Sequence, residues 1–94
     1  MTLKTKPFDP AAYLDSDEAR AVYLSEAFET GDVGFIADAL GVVARAQGMT
    51  GIAKETDLSR EALYRALSVN GNPELSTVLK VTTALGLKLT VEAA

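Results

Sequence analysis

The stretch Met49-Thr50-Gly51-Ile52-Ala53-Lys54-Glu55-Thr56-Asp57-Leu58-Ser59-Arg60-Glu61-Ala62-Leu63-Tyr64-Arg65-Ala66-Leu67 decides the fold. It reads as two short helices, Thr50 to about Thr56 and Arg60 to about Leu67, joined by a three-residue turn. Ile52, Leu58, Leu63 and Leu67 fall where both helices face one core, and Ala53 is small where two steeply crossing helices must approach. Asp57 lies in the turn, where a residue that tolerates the left-handed region is needed. Ser59 is placed to cap the second helix, with Glu61 and Ala62 in its first turn. The side chains not spent on packing are Ser59, Arg60, Glu61, Tyr64 and Arg65, on the outer and N-terminal faces of that helix. Entering a major groove N-terminus first, such a helix presents them to base edges, where an arginine can grip guanine with two hydrogen bonds. Thr50, beside the free N–H groups of a helix start, and Lys54 suit phosphate oxygens. The plainer reading of the same residues is a helical hairpin with a solvated charged face.

Towards the N-terminus the signals remain helical. Asp32 can cap a helix over about 33–47, whose Phe35, Ile36, Ala39, Leu40, Val42, Val43 and Ala46 make a broad apolar face and which stops at Gly48. Gly34 and Gly41 each cost this helix about 1 kcal/mol relative to Ala, which the apolar face should outweigh, so the helix is expected at the centre of the core. Before it, Ser16 can cap a helix over about 17–30 that keeps Ala19, Val22, Tyr23, Ala27 and Phe28 at helical spacing and ends at Gly31. A short helical turn is expected from Pro10 to Leu14, with Pro10 where its missing N–H is harmless. Residues 1–9, with Pro7 and no periodicity, read as an extended arm, and residues 10–94 as one domain.

Towards the C-terminus a helix is expected from Glu74 or Leu75 to Leu85, ended by Gly86. Leu87, Lys88, Leu89, Thr90, Val91 and Glu92 then alternate strictly between apolar and polar, the period of a strand. A lone strand in a helical chain finds no partner within it. Pairing Leu87, Leu89 and Val91 with the same strand of a second copy is the simplest way to satisfy its backbone, and two-fold dimers are the commonest oligomers. A frayed tail is the alternative. The expected fold class is therefore all-α, a compact bundle of about five helices with an N-terminal helical extension and a short C-terminal strand at 87–92.

Composition narrows the chemistry. The 94 residues include no Cys and no His, so a thiolate or imidazole zinc site, a disulfide framework and histidine acid/base chemistry are unavailable. No metal and no cofactor is expected, and an enzyme is the least supported class. No apolar run nears the roughly eighteen residues of a spanning helix, and Met1-Thr2-Leu3-Lys4-Thr5-Lys6-Pro7 lacks a secretory core, so the chain reads as cytoplasmic. The net charge of −4 argues against a nucleic-acid partner until it is resolved by position. Residues 1–48 hold four cations against eight acids, whereas residues 49–94 hold five of each. All the excess acid is N-terminal, which marks either two surfaces with different partners or a solvated acidic face.

Residues Ile52 to Leu67 resemble the helix-turn-helix of the Cro/cI-like transcription-factor family, in which the matching stretch is I-A-x-x-x-G-L-S-x-x-x-L-Y-R-x-L. Asn70-Gly71-Asn72-Pro73 and the helix after it are similar to that family's next loop and helix. More narrowly, Phe8-Asp9-Pro10-Ala11-Ala12-Tyr13-Leu14 and Tyr23-Leu24-Ser25-Glu26-Ala27-Phe28-Glu29-Thr30-Gly31-Asp32 resemble the addiction-module antidote proteins, antitoxins with a Cro/cI-like domain paired with a toxin of the RelE/HigB type. The likeness runs from about Phe8 to Glu92. It departs at Asp57, where the family prefers Gly, and at Thr56, where a larger apolar residue is usual; looser packing beneath the turn is expected there.

The resemblance implies a lambda-repressor-like bundle acting as a homodimer that represses its own operon and neutralises a toxin by direct binding. It places Thr50, Lys54, Ser59, Arg60, Glu61, Tyr64, Arg65, Asn70 and Asn72 at operator DNA. Because toxins that act on RNA tend to be basic, the acidic helix with Asp17, Glu18, Glu26 and Glu29 is the candidate toxin surface. The alternatives are a stand-alone Cro/cI-type regulator without a toxin, and a protein-interaction adaptor that has lost DNA binding.

Overall fold

The computed structural model describes residues 13–94. The arm expected over residues 1–9 and the start of the turn expected from Pro10 lie outside the described residues. Five helices follow in order: α1 (Asp17–Glu29), α2 (Val33–Gln47), α3 (Met49–Thr56), α4 (Arg60–Ala66) and α5 (Leu75–Ala84). Each expected helix is present with its ends shifted by at most a residue or two. The capping serines and aspartate explain that agreement, because a cap is local chemistry. Ser16 Oγ accepts the Ala19 N–H at 3.1 Å, Asp32 Oδ1 accepts that of Phe35 at 3.1 Å, and Ser59 Oγ accepts that of Ala62 at 3.0 Å.

Helix α2 packs against α1, α3 and α4, and α5 packs against α3. One apolar cluster gathers Leu24 and Ala27 from α1, the run Ala39–Ala44 from α2, Met49 and Ile52 from α3, Leu63 and Leu67 from α4 and its end, and Val81, Ala84 and Leu85 from α5 and its end. Leu40, Ile52, Leu63, Leu85, Val43 and Val81 are its largest fully buried side chains. At roughly 1.5–3 kcal/mol for each such side chain, this burial outweighs the propensity cost of two helical glycines.

Those glycines have a purpose that propensity does not convey. A Cβ on Gly41 would meet the Leu67 carbonyl oxygen, and one on Gly34 would lie 2.6 Å from that of Val69. Seven residues apart, they form the face of α2 on which the end of α4 and the loop after it rest. Gly48, at φ 121°, turns the chain from α2 into α3 in a single residue.

The strand expected over 87–92 is not formed. Among the described residues there is no strand, and beyond the Leu87 N–H, which donates to the Thr82 carbonyl at 3.0 Å, the tail donates no backbone hydrogen bond. Five helices offer no sheet edge to pair with. The tail instead leaves the core by degrees, with Leu87 half-buried, Leu89 38% exposed and Val91 98% exposed. Among the described residues no helix is long and apolar enough to cross a membrane.

Candidate functional site

Helices α3 and α4 meet through Asp57, Leu58 and Ser59. Asp57 takes the left-handed conformation (φ 59°, ψ 29°), and the N–H groups of Asp57 and Leu58 both donate to the Ala53 carbonyl. Asp therefore does what glycine does more cheaply at a helix C-terminus. Thr56 is buried at 4% exposure, and its hydroxyl donates to the Ile52 carbonyl at 2.7 Å, so its polar atom is satisfied within its own helix. A surface hollow of about 340 Å³ borders Thr56, between Glu55 on α3 and Leu79, Lys80, Thr83 and Ala84 on α5.

Leu63, fully buried, anchors α4 to the core and so directs its remaining faces outward. Ser59, Arg60, Glu61, Tyr64 and Arg65 are all exposed, as are Thr50 and Lys54 on α3 and Asn70 and Asn72 in the loop after α4. No side chain caps α3. The Arg60 guanidinium sits 5.9 Å from the centre of the Tyr64 ring, one helical turn on, a cation–π distance that holds the arginine against α4. Among the described residues Lys54, Arg60 and Arg65 have no ion-pair partner, the one salt bridge being Arg20–Asp17.

Tyr64 also borders a hollow of about 200 Å³ whose lining includes Asp38, Gly41, Arg45 and Ser68. Arg45 was not singled out by its spacing. It comes beside Tyr64 because Gly41 lets α2 and the end of α4 close together, a long-range effect without a local signature. On α1, the Tyr23 phenol is raised above its ordinary value, first by burial and then by the Asp38 carboxylate, with Arg45 acting in the opposite direction.

The second candidate surface is α1. Asp17, Glu18, Glu26 and Glu29 are all exposed, whereas Arg20 is folded inward: its Nε donates to the Leu14 carbonyl at 3.1 Å, and its Nη1 donates to Asp17 at 3.3 Å. The acids of α1 are therefore joined by no free cation of that helix.

Fold and site together define a small protein whose described residues form five helices and present one capped polar helix, α4, and one acidic helix, α1, on a common apolar support. The sequence model of the family described as "probable addiction module antidote protein" matches residues 4–93, and the chain belongs to that family. A Haemophilus influenzae (strain Rd) protein described as uncharacterised is 45% identical over 92 residues, which cover 98% of this chain and 95% of that protein. No solved structure matches the chain.

Proposed function

We propose that this chain is the antidote of a two-protein addiction module, a sequence-specific repressor of its own operon that also neutralises a RelE/HigB-type toxin by direct binding. On this reading α3 and α4 are a Cro/cI-type helix-turn-helix in a lambda-repressor-like bundle. The protein works in the cytoplasm as a homodimer, by binding rather than catalysis and without a cofactor. The observation that carries the DNA half is α4 itself: a helix anchored by buried Leu63, capped by Ser59, and presenting Arg60, Glu61, Tyr64 and Arg65 to solvent. The uncapped start of α3 leaves N–H groups beside Thr50 for a phosphate oxygen, with Lys54, Asn70 and Asn72 as further contacts.

Footprinting of the DNA upstream of the gene tests this reading. Protection of two half-sites about one helical turn apart is expected. No protection at low salt would remove the DNA half. Arg65→Ala should relax preference at one base position at a cost of about 1–3 kcal/mol, whereas Lys54→Ala should weaken all sequences alike.

The toxin half rests on family membership and on the exposed acids of α1, which would steer a basic partner. Reversing Asp17, Glu18, Glu26 and Glu29 to Lys should abolish capture of a toxin encoded beside this gene; undiminished capture excludes α1. Dimerisation is assigned to Leu87, Leu89 and Val91, whose alternation, with N–H groups after Leu87 that make no backbone hydrogen bond, suits a strand shared between two copies. Sedimentation of the full chain against one ending at Gly86 reads this out, and equal protomer counts would end it.

A further inference from the structure

The C-terminal tail does not lie flat on α1. Between them runs a cleft of about 490 Å³. On the helix side it is lined by Ala21, Leu24, Ser25, Phe28 and Glu29, the i, i+3, i+4, i+7, i+8 positions of one continuous stripe. Leu24 is buried and Phe28 half-buried, and Ala21 and Ser25 are small and exposed. Leu87, Leu89 and Glu92 are among the residues opposite. At about 3.6 residues per turn, Glu18, Glu29, Val22 and Glu26 follow on the arc of α1 just outside Ala21 and Ser25. Arg20, the single cation of α1, is turned away from this arc towards Leu14 and Asp17. The feature is thus a trough of mixed lining, with Leu24, Phe28, Leu87 and Leu89 as its apolar part, small side chains along one wall, carboxylates outside that wall and Lys88 on the tail side.

We propose that this cleft receives the partner toxin, taking an apolar side chain of the toxin between α1 and the tail while Lys or Arg residues flanking it meet Glu18, Glu26 and Glu29. The occupant follows from charge: Glu18, Glu26, Glu29 and Glu92 outnumber Lys88 around the cleft, a two-fold second copy would set these acids against their own equivalents, and a nucleic acid would bring phosphates, so a basic protein segment is the complementary ligand. Ala21 and Ser25 let the partner approach the helix closely, and Leu24, Phe28, Leu87 and Leu89 give an anchoring side chain apolar surface to cover. The proposal deepens the antidote reading and rests on it.

The test uses the full chain co-expressed with the protein encoded immediately beside it. Ser25→Trp, at an exposed helical position, fills the cleft; Ala21→Lys leaves it open but sets a cation in its wall. Both should weaken the complex at least tenfold while thermal midpoint, protomer count and operator affinity stay at wild-type values. Glu29→Lys should weaken it less and reduce its salt dependence. Complexes as tight as wild type with Ser25→Trp and Ala21→Lys overturn the proposal and leave the antidote reading standing. A changed protomer count in Ser25→Trp would show that the cleft and the dimer strand at Leu87, Leu89 and Val91 are one surface serving a second copy, and would also overturn it. Failure of the wild-type chain to bind the neighbouring product removes the antidote reading, and this proposal with it.

Discussion

Helices α1 and α2 are consecutive, of 13 and 15 residues, and each begins with a side-chain cap, yet they bury themselves very differently. Helix α2 has seven fully buried residues, Ala37 and Ala39–Ala44; α1 has two, Leu24 and Ala27. The α2 sequence is mostly Ala, Gly, Val and Leu, so neighbours can approach it from several sides. The exposed positions of α1 hold carboxylates and small residues, with Val22 besides. A helix enclosed by neighbours is a support, and one with a solvated charged arc is free to be a surface. Both candidate surfaces, α1 and the α3–α4 hairpin, lean on α2.

The severest way to break that comparison is Leu40→Ala. Leu40 is fully buried in α2, and its truncation should cost about 2–5 kcal/mol in urea unfolding and lower toxin and DNA binding together through loss of folded protein. A loss below about 1 kcal/mol would contradict the role given to α2. Next comes Gly41→Ala. Its methyl group would strike the backbone oxygen of Leu67, which cannot swing aside as a side chain can. Overpacking of about 1–3 kcal/mol then competes with about 1 kcal/mol of regained helix propensity, and a net destabilisation is expected. Gly51→Ala is the matched control: a Cβ there meets nothing within 4 Å, so the same substitution in α3 should stabilise by up to about 1 kcal/mol. Equal effects at the two positions would show that close approach does not matter at Gly41.

The caps sharpen the contrast between surfaces. Ser16→Ala and Ser59→Ala each remove one cap hydrogen bond and should each cost about 1 kcal/mol. Only Ser59→Ala should weaken operator binding beyond that stability loss, because Ser59 sits at the start of α4, whereas Ser16 starts the acidic helix. A gel-shift series at matched folded fraction separates the two effects.

What could be read from the sequence follows the same division between local and distant causes. Helix ends at Ser16, Asp32, Asp57, Ser59 and Gly86 were legible because each is decided by a side chain or a φ value within a few residues. Gly41 was legible only as a cost, since its benefit lies at Leu67, far along the chain. The pairing of Arg45 with the Tyr64 hollow depends on that same approach and left no periodic trace. The alternation of Leu87, Leu89 and Val91 has the period of a strand, but a ladder needs a second strand, which the described residues of one chain do not contain. The cleft beside α1 escaped notice for a related reason: its two walls are separated by most of the sequence.

The smallest effect is expected at the seam between α1 and α2, where Tyr23 faces Asp38 and Arg45. Burial, reinforced by Asp38, raises the phenol above its ordinary value of 10.0, while Arg45 pulls it back. The folded state therefore keeps the Tyr23 proton to higher pH than the unfolded chain does. The stability contributed by the neutral phenol is intact below pH 10.0 and is lost as pH rises through the folded-state value. Tyr23→Phe has no proton to release, so its unfolding midpoint should fall less steeply above pH 10.0 than that of the wild type, with Asp38→Asn in between. Identical alkaline slopes for wild type and Tyr23→Phe would show that this edge of α1 is as open to water as its acidic arc, and the contrast between a packed seam and a solvated surface on one helix would then fail.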